Sequence, residues 1–317
     1  MYRRFNVMDK PKNYGWQRDA VPYSFGFFIN LIWLIFLFAK FGFLNSQVNV
    51  LGFTVLGLSL TGFIDDKYNI KPKFRLLLHF VFAILLVKFG FSLSAFTNFF
   101  SGEIVYAPSV LEYFSVLWIV FLINSMNFLD GLPSLTSGVS SVALVFILFL
   151  SQLPNFHSID QALLIDISLL TLPFWVLTFC FEFPFKNPKF LQGDSGATVM
   201  GLLLAVFSIM AGGKLAILSM VLLLPLIDVL FVIAYRIYNK KPFWKGDYKN
   251  EHLHHILRFR GYNIASIILV YLLISIIFGL IALFLWNATV KLVALFFLTL
   301  FILFFLIKIY TSNKALK

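Results

Sequence analysis

Residues 264–286, IASIILVYLLISIIFGLIALFLW, run for 23 positions without one charged side chain. About 20 apolar residues in an α-helix cross the roughly 30 Å hydrocarbon core of a bilayer, so this stretch decides the class of fold. Similar stretches recur from Phe25 to Tyr310. They are too long and too continuous for the strands of a membrane barrel, where lipid-facing and lumen-facing residues alternate. In hydrocarbon each element must satisfy its own backbone hydrogen bonds, which leaves the helix. The composition agrees, with 60% of the 317 residues hydrophobic and 12% charged. The expected fold is an all-α, polytopic integral membrane bundle of about ten spans. These run roughly over 25–44, 48–64, 76–95, 110–129, 135–152, 162–183, 196–211, 214–237, 264–286 and 289–310, in a single domain covering residues 1–317.

Charge sets the orientation. A net charge of +11 could suggest nucleic acid, but cationic inner loops are what the positive-inside rule demands, and they face anionic headgroups. With residues 1–24 inside, twenty-one of the twenty-five Lys and Arg residues are cytoplasmic, all but Lys40, Lys88, Lys214 and Lys291. Both termini are then cytoplasmic, the membrane is the partner, and no nucleic acid is expected. The forty-one Phe residues read as lipid-facing cover. The single Cys180 excludes an internal disulfide and reads as a buried structural thiol. The first two dozen residues are polar and basic, so no cleavable signal peptide is visible.

The cytoplasmic loops carry the chemistry. Asp65-Asp66 ends the second span and precedes Lys67, Lys71, Lys73 and Arg75. Adjacent carboxylates at a membrane edge repel, and metal binding or base catalysis relieves that cost. A helix-stop pair balanced by lysines is the plainer alternative. In Asn124-Ser-Met-Asn127-Phe-Leu-Asp130-Gly131-Leu132-Pro133, the residues Asn124, Asn127 and Asp130 share one helix face. Their oxygens suit Mg²⁺, although membrane bundles also use such stripes as interhelical glue.

In Asn187-Pro188-Lys189-Phe190-Leu191-Gln192-Gly193-Asp194-Ser195-Gly196, two glycines bracket an acid where a helix begins. Helix-start N–H groups favour an anion, so the glycines read as backbone bared for a phosphate, while Asp194 alone could be an N-cap. The segment His252-Leu-His254-His255 suits phosphate or nucleotide-sugar contacts better than zinc, since it has no Cys partner and no i, i+4 pair on a long helix. Asp228 lies about 15 Å along its span at helical rise and must face protein or a polar cavity.

Taken in order, these motifs resemble the polyprenyl-phosphate N-acetylhexosamine-1-phosphate transferase family. The resemblance runs from Asp9-Lys10-Pro11, through Asp65, Asp66 and Arg75, Asn124 to Gly131, Asn187-Pro188 and Gly193 to Gly196, to His252–His255. The motifs over 65–257 imply transfer of an N-acetylhexosamine-1-phosphate from a UDP-sugar to a polyprenyl (undecaprenyl) phosphate, with release of UMP. The resemblance makes Asp194 and Asn127 ligands of Mg²⁺, with Mn²⁺ as a substitute. It gives Asp65 and Asp66 the alignment or activation of the lipid phosphate, clamped by Arg75. Asn124, Asp130, Asn187, His252, His254 and His255 would hold substrate. It further implies a bacterial inner membrane, an active site on the cytoplasmic face, and a place at the start of cell-surface polysaccharide synthesis. A homodimer is left open.

The histidine pattern looks like the branch that starts O-antigen, enterobacterial-type or teichoic-acid glycans. The peptidoglycan branch usually has Pro-x-His-His-His there. Several positions depart from the family pattern. Pro133-Ser134 replaces a second acid, Arg75 stands for a Lys, and Ile256 stands for an Arg, with Arg258 and Arg260 as the candidates to substitute for it. The span that usually precedes Asp9-Lys10-Pro11 is missing, from a downstream start codon or a helix fewer. The rival readings are a family member without activity and a transporter or flippase. A transporter would carry its ionisable groups near the bilayer midplane in paired halves.

Overall fold

The computed structural model describes residues 8–9, 20–98, 103–153, 160–183, 188–212, 215–242, 251–285 and 288–314. The helices are α1 (Phe25–Phe41), α2 (Ser46–Tyr68), α3 (Pro72–Lys88), α4 (Pro108–Leu129), α5 (Leu135–Ser151) and α6 (Gln161–Glu182). They continue with α7 (Gly193–Met210), α8 (Leu215–Val221), α9 (Leu223–Tyr238), α10 (Leu253–Phe259), α11 (Ile264–Phe284) and α12 (Ala288–Lys314). Between α3 and α4, β1 (Ala95–Thr97) and β2 (Ile104–Tyr106) form an antiparallel hairpin. The expected all-α membrane bundle is the observed fold.

The span count needs correction. Every apolar run forms a helix, but among the described residues six are long and apolar enough to cross a bilayer: α2, α4, α6, α7, α11 and Thr289–Ser312 of α12. A seventh exists only as the pair α8 and α9, bent by 82°. The break has a local cause. Pro225, in the first turn of α9, has no N–H to offer Val221, and its ring opposes continuation of the helix. The 17-residue helices α1 and α5 are apolar but short, because an apolar run in sequence includes turn residues that the helix leaves out. In α1 the helix stops at Gly42, whose φ of 63° ends it.

The bundle is built around α7, whose apolar window is 94% buried against 17% for α12. It packs on α1, α2, α4 and α5. Lipid tails give helices little hydrophobic reason to associate, so close backbone approach at small residues and interhelical hydrogen bonds take over. A Cβ on Gly62 of α2 would stand 2.4 Å from Ser195 N, and one on Gly201 would stand 2.5 Å from Leu122 O. Asn30 joins three helices, donating to Ser59 Oγ and to Ser195 O, both at 2.9 Å. Trp33 Nε1 donates to Thr171 Oγ1 at 3.1 Å, and Trp118 Nε1 to Ser208 Oγ at 2.9 Å. Phe296, Phe297, Phe301, Phe304 and Phe305 stand exposed along α12, as lipid-facing cover would. Cys180 is also exposed, which corrects the expectation of a buried thiol. Its place on the outer face of α6 is not visible in a helix apolar all round.

Candidate active site

The site grows from a sharp reversal between α2 and α3. Asn69, in the left-handed region at φ 58°, closes α2 by donating its N–H to Asp65 O at 2.7 Å. Asp65 Oδ1 then accepts from Ile70 N at 2.6 Å, and Pro72 opens α3 with a φ already suited to a helix. The reversal turns Arg75 back over the end of α2. Its Nη1 donates to Asp65 Oδ2 and, at 2.7 Å, to Asp194 Oδ2.

Asp66 faces the first turn of α7. Its Oδ1 accepts from Asp194 N at 3.1 Å, and its Oδ2 accepts from Ser24 Oγ at 2.5 Å. A carboxylate of the protein itself therefore caps this helix start. Gly193 sits at φ 69°, and a Cβ there would stand 2.4 Å from Asp66 Oδ2. A Cβ on Gly26 would reach Gly196 Cα at 2.5 Å. A Cβ on Gly196 itself would stand 2.7 Å from Gln192 Cβ, so both glycines have a packing reason that needs no phosphate. The cap of α7 is Gln192, so Asp194 lies one residue inside the helix rather than at its cap.

From α4, Asn127 lies against the Asp194 carboxylate. Asn124 donates Nδ2 to Val120 O at 2.7 Å and adjoins His79 of α3. Asp130, just beyond the helix, accepts Gln192 Nε2 at 2.7 Å on Oδ1. Burial, reinforced by the neighbouring Glu182 and Asp194 charges, pushes the Asp130 carboxyl well above the usual carboxylate range against the pull of Gln192.

The histidines gather on the far side of the Asp130-Gly131 turn. Asp228 accepts from Leu253 N at 2.9 Å and pairs with His252 Nδ1 at 2.9 Å, so it faces protein as expected. It lies ten residues before the end of α9 at Tyr238, all on one side of the bend between α8 and α9. The His252 ring stacks on Phe128 at 5.4 Å between centroids. A Cβ on Gly131 would stand 2.3 Å from His254 Nε2 and 2.5 Å from His255 Nε2. His252 and His254 are buried and His255 is partly exposed, so the first two reach a substrate only through the turn they support. Burial, with the His255 and His252 rings beside it, holds the His254 imidazole well below its ordinary value.

The structure therefore brings Asp65, Asp66, Arg75, Asn127 and Asp194 into one cluster, with Asp130 and the histidines adjoining it. Asn187 lies outside the described residues, as do Lys10 and Pro11; Asp9 accepts from Val21 N at 2.7 Å. Arg258 and Arg260, offered for the Arg missing at Ile256, each have a partner outside the acid cluster. Arg258 Nη1 donates to Tyr262 O at 3.3 Å, and Arg260 Nη2 to Ile309 O at 2.9 Å. Ser24, His79, Glu182 and Gln192 were not singled out from sequence. Glu182, a lone acid at the end of an apolar span, did carry a signal, since acids at a membrane edge are functional by default.

Asp65 and Asp194 share the Arg75 guanidinium and Asp66 lies beside them, so the three acids formally outnumber the one cation by two charges, the charge of one divalent cation. Among the described residues no three His, Cys, Asp or Glu side chains form a metal cage. Mg²⁺ commonly uses one or two carboxylates and completes its shell with water and substrate phosphate. The hard oxygens of Asp194 and Asn127 fit that mode of binding.

The sequence profile of glycosyl transferase family 4 matches residues 48–212, from α2 through α7. The chain belongs to glycosyl transferase family 4. This family member is 27% identical over 310 residues to a probable undecaprenyl-phosphate N-acetylglucosaminyl 1-phosphate transferase of Bacillus subtilis (strain 168), covering 96% of this chain and 82% of the relative. It is 26% identical over 304 residues to a phospho-N-acetylmuramoyl-pentapeptide-transferase of Borreliella burgdorferi, covering 87% and 84%. A transferase of the latter name in Staphylococcus saprophyticus is 28% identical over 261 residues, covering 75% and 76%. The resemblance read from the motifs is confirmed at the level of the family, and the glycosyl transferase family 4 member described here is a polyprenyl-phosphate glycosyl-1-phosphate transferase.

Proposed function

We propose that this enzyme transfers an N-acetylhexosamine-1-phosphate from a UDP-sugar to undecaprenyl phosphate at the cytoplasmic face of a bacterial inner membrane. An oxygen of the lipid phosphate attacks the sugar-linked phosphorus. A new P–O bond forms, the bond to the UMP oxygen breaks, and UMP leaves with its electron pair. The product is a lipid-diphosphate-sugar that starts a cell-surface polysaccharide.

The observation that carries this reading is the convergence of Asp65 and Asp194 on Arg75, with Asp66 held against Asp194 N, where α2, α3 and α7 meet. Phosphoryl transfer needs positioning and charge neutralisation more than covalent help from protein. Arg75 clamps the lipid phosphate, while Asp65 and Asp66 align it. Asp130, Asn124, Asn187 and His255 hold the nucleotide-sugar, with His252 and His254 supporting the turn beneath. Asp194 and Asn127 would hold Mg²⁺, which when bound neutralises charge on the diphosphate. The His252-Leu-His254-His255 pattern and the N-acetylglucosaminyl name of the Bacillus relative support a simple hexosamine over a muramoyl-peptide donor.

The test is UMP release by purified protein in detergent, with undecaprenyl phosphate, Mg²⁺ and a panel of UDP-sugars that includes UDP-muramoyl-pentapeptide. Release with a UDP-N-acetylhexosamine, abolished by chelator and restored by Mg²⁺ or Mn²⁺, is expected. Release with the muramoyl donor alone would overturn the sugar assignment, and full activity after chelation would overturn the metal.

A further inference from the structure

Glu182 ends α6, is 1% exposed, and touches no substrate in the reading above. Both of its oxygens are engaged inside the protein. Oε1 accepts from Gln192 N at 2.7 Å, at the approach to α7. Oε2 accepts from Ser134 N at 3.2 Å and from Ser137 Oγ at 3.1 Å, where the turn after Asp130 enters α5. That turn is held in an uncommon shape, with Ser134 at φ 67° and its Oγ donating to Phe179 O of α6 at 3.3 Å. Gln192, once fixed by its backbone, donates Nε2 to Asp130 at 2.7 Å. One buried carboxylate thus gathers three donors from two chain segments that flank Asp130. A buried acid is tolerable only with such donors, and an ionised carboxylate is acceptor-only, so it suits three donors at once.

We infer that Glu182 is a positioning residue for the nucleotide-sugar side of the site: it locks the Gly131–Ser134 turn and Gln192 into one body that presents Asp130. This rests on the transferase reading. The turn lacking the second acid of the family pattern thereby receives a carboxylate from α6.

Glu182→Gln keeps the size but turns an NH₂ toward one of the three donors, so one arm of the clamp fails. The expected result is a rise of about tenfold in KM for the UDP-sugar and in Kd for UMP, with kcat and the KM for undecaprenyl phosphate within about twofold. Ser137→Ala removes one donor and should weaken UMP about threefold. The double variant should bind UMP no worse than Glu182→Gln, because both changes break one device. Should Glu182→Gln not accumulate as folded protein, UMP binding by Ser137→Ala decides. Unchanged UMP affinity in the folded variants, or a fall in kcat alone, would overturn the clamp while leaving the transferase reading intact. Wild-type protein that neither binds UMP nor releases it would overturn both.

Discussion

The two ends of the bundle hold their charges in opposite ways. At one end Lys40 meets Asp166 at 2.8 Å with both side chains 43% exposed, and Lys88 meets Glu112 at 3.7 Å with 70% and 44% exposed. At the other, Arg75, Asp65 and Asp194 are only 15%, 6% and 21% exposed, and Asp66 crowds in beside them. Exposed pairs contribute about 0–1 kcal/mol, whereas burying charge carries a desolvation cost that a single partner rarely offsets. Stability alone would favour the first arrangement at both ends. Two acids on one guanidinium, with a third beside them, make sense as a site for an anion brought together with a cation.

The comparison breaks hardest at Arg75. Arg75→Met leaves Asp65 and Asp194 without their shared cation beside Asp66, at a cost of roughly 3–5 kcal/mol. UMP release should fall below detection and the melting temperature should drop. Arg75→Lys keeps the charge but loses the planar fork, so the rate should fall at least about a hundredfold while the fold survives. A Lys variant with wild-type rate would show that the two carboxylates need only a point charge.

Gly62 tests the packing that brings the acids together. Gly62→Ala drives a methyl group against Ser195 N, an overpacking that costs roughly 1–3 kcal/mol. The first turn of α7 must then move off α2 and carry Asp194 away from Asp65. Melting and initial rate should fall together; an unchanged rate would mean that the cluster tolerates a shifted α7.

His254 sharpens the comparison through pH. Its folded-state value is depressed, so the unfolded chain takes up a proton that the folded chain refuses. That contribution to stability is complete above the unfolded value of about 6.5 and is lost as pH falls below it. The melting temperature should therefore drop between about pH 7.5 and 5.5, and His254→Gln should flatten that drop. An identical pH profile in the variant would remove His254 from the acid response. At the exposed end, Lys88→Gln should change stability by less than about 0.5 kcal/mol and leave the rate unaltered.

Much of this was legible in the chain. Helices form where the apolar runs lie, and Asp65, Asp66, Asp130 and Asp194 lie near helix ends because the runs stop there. What spacing along one chain does not show is which helix end meets which. Ser24 and Asp66 are 42 residues apart, and Glu182 and Ser134 are 48 apart. The packing of Gly193 was hidden for the same reason, since the group a side chain there would meet is Asp66 of α2. The span count failed on local features: α1, α3 and α5 stop at 17 residues, and Pro225 goes with a bend between α8 and α9 that no hydropathy window registers.

The central claim is that the buried cluster performs chemistry while the exposed pairs do not. Its most direct test is the rate of UMP release by Asp194→Asn beside Asp166→Asn, at matched amounts of folded protein. Asp166 is half-exposed and paired with Lys40 at the far end, so its variant should work at nearly the wild-type rate. Asp194→Asn removes a charge from the proposed metal and phosphate site, and its rate should fall by about three orders of magnitude or more. Comparable rates in the two variants would contradict the account.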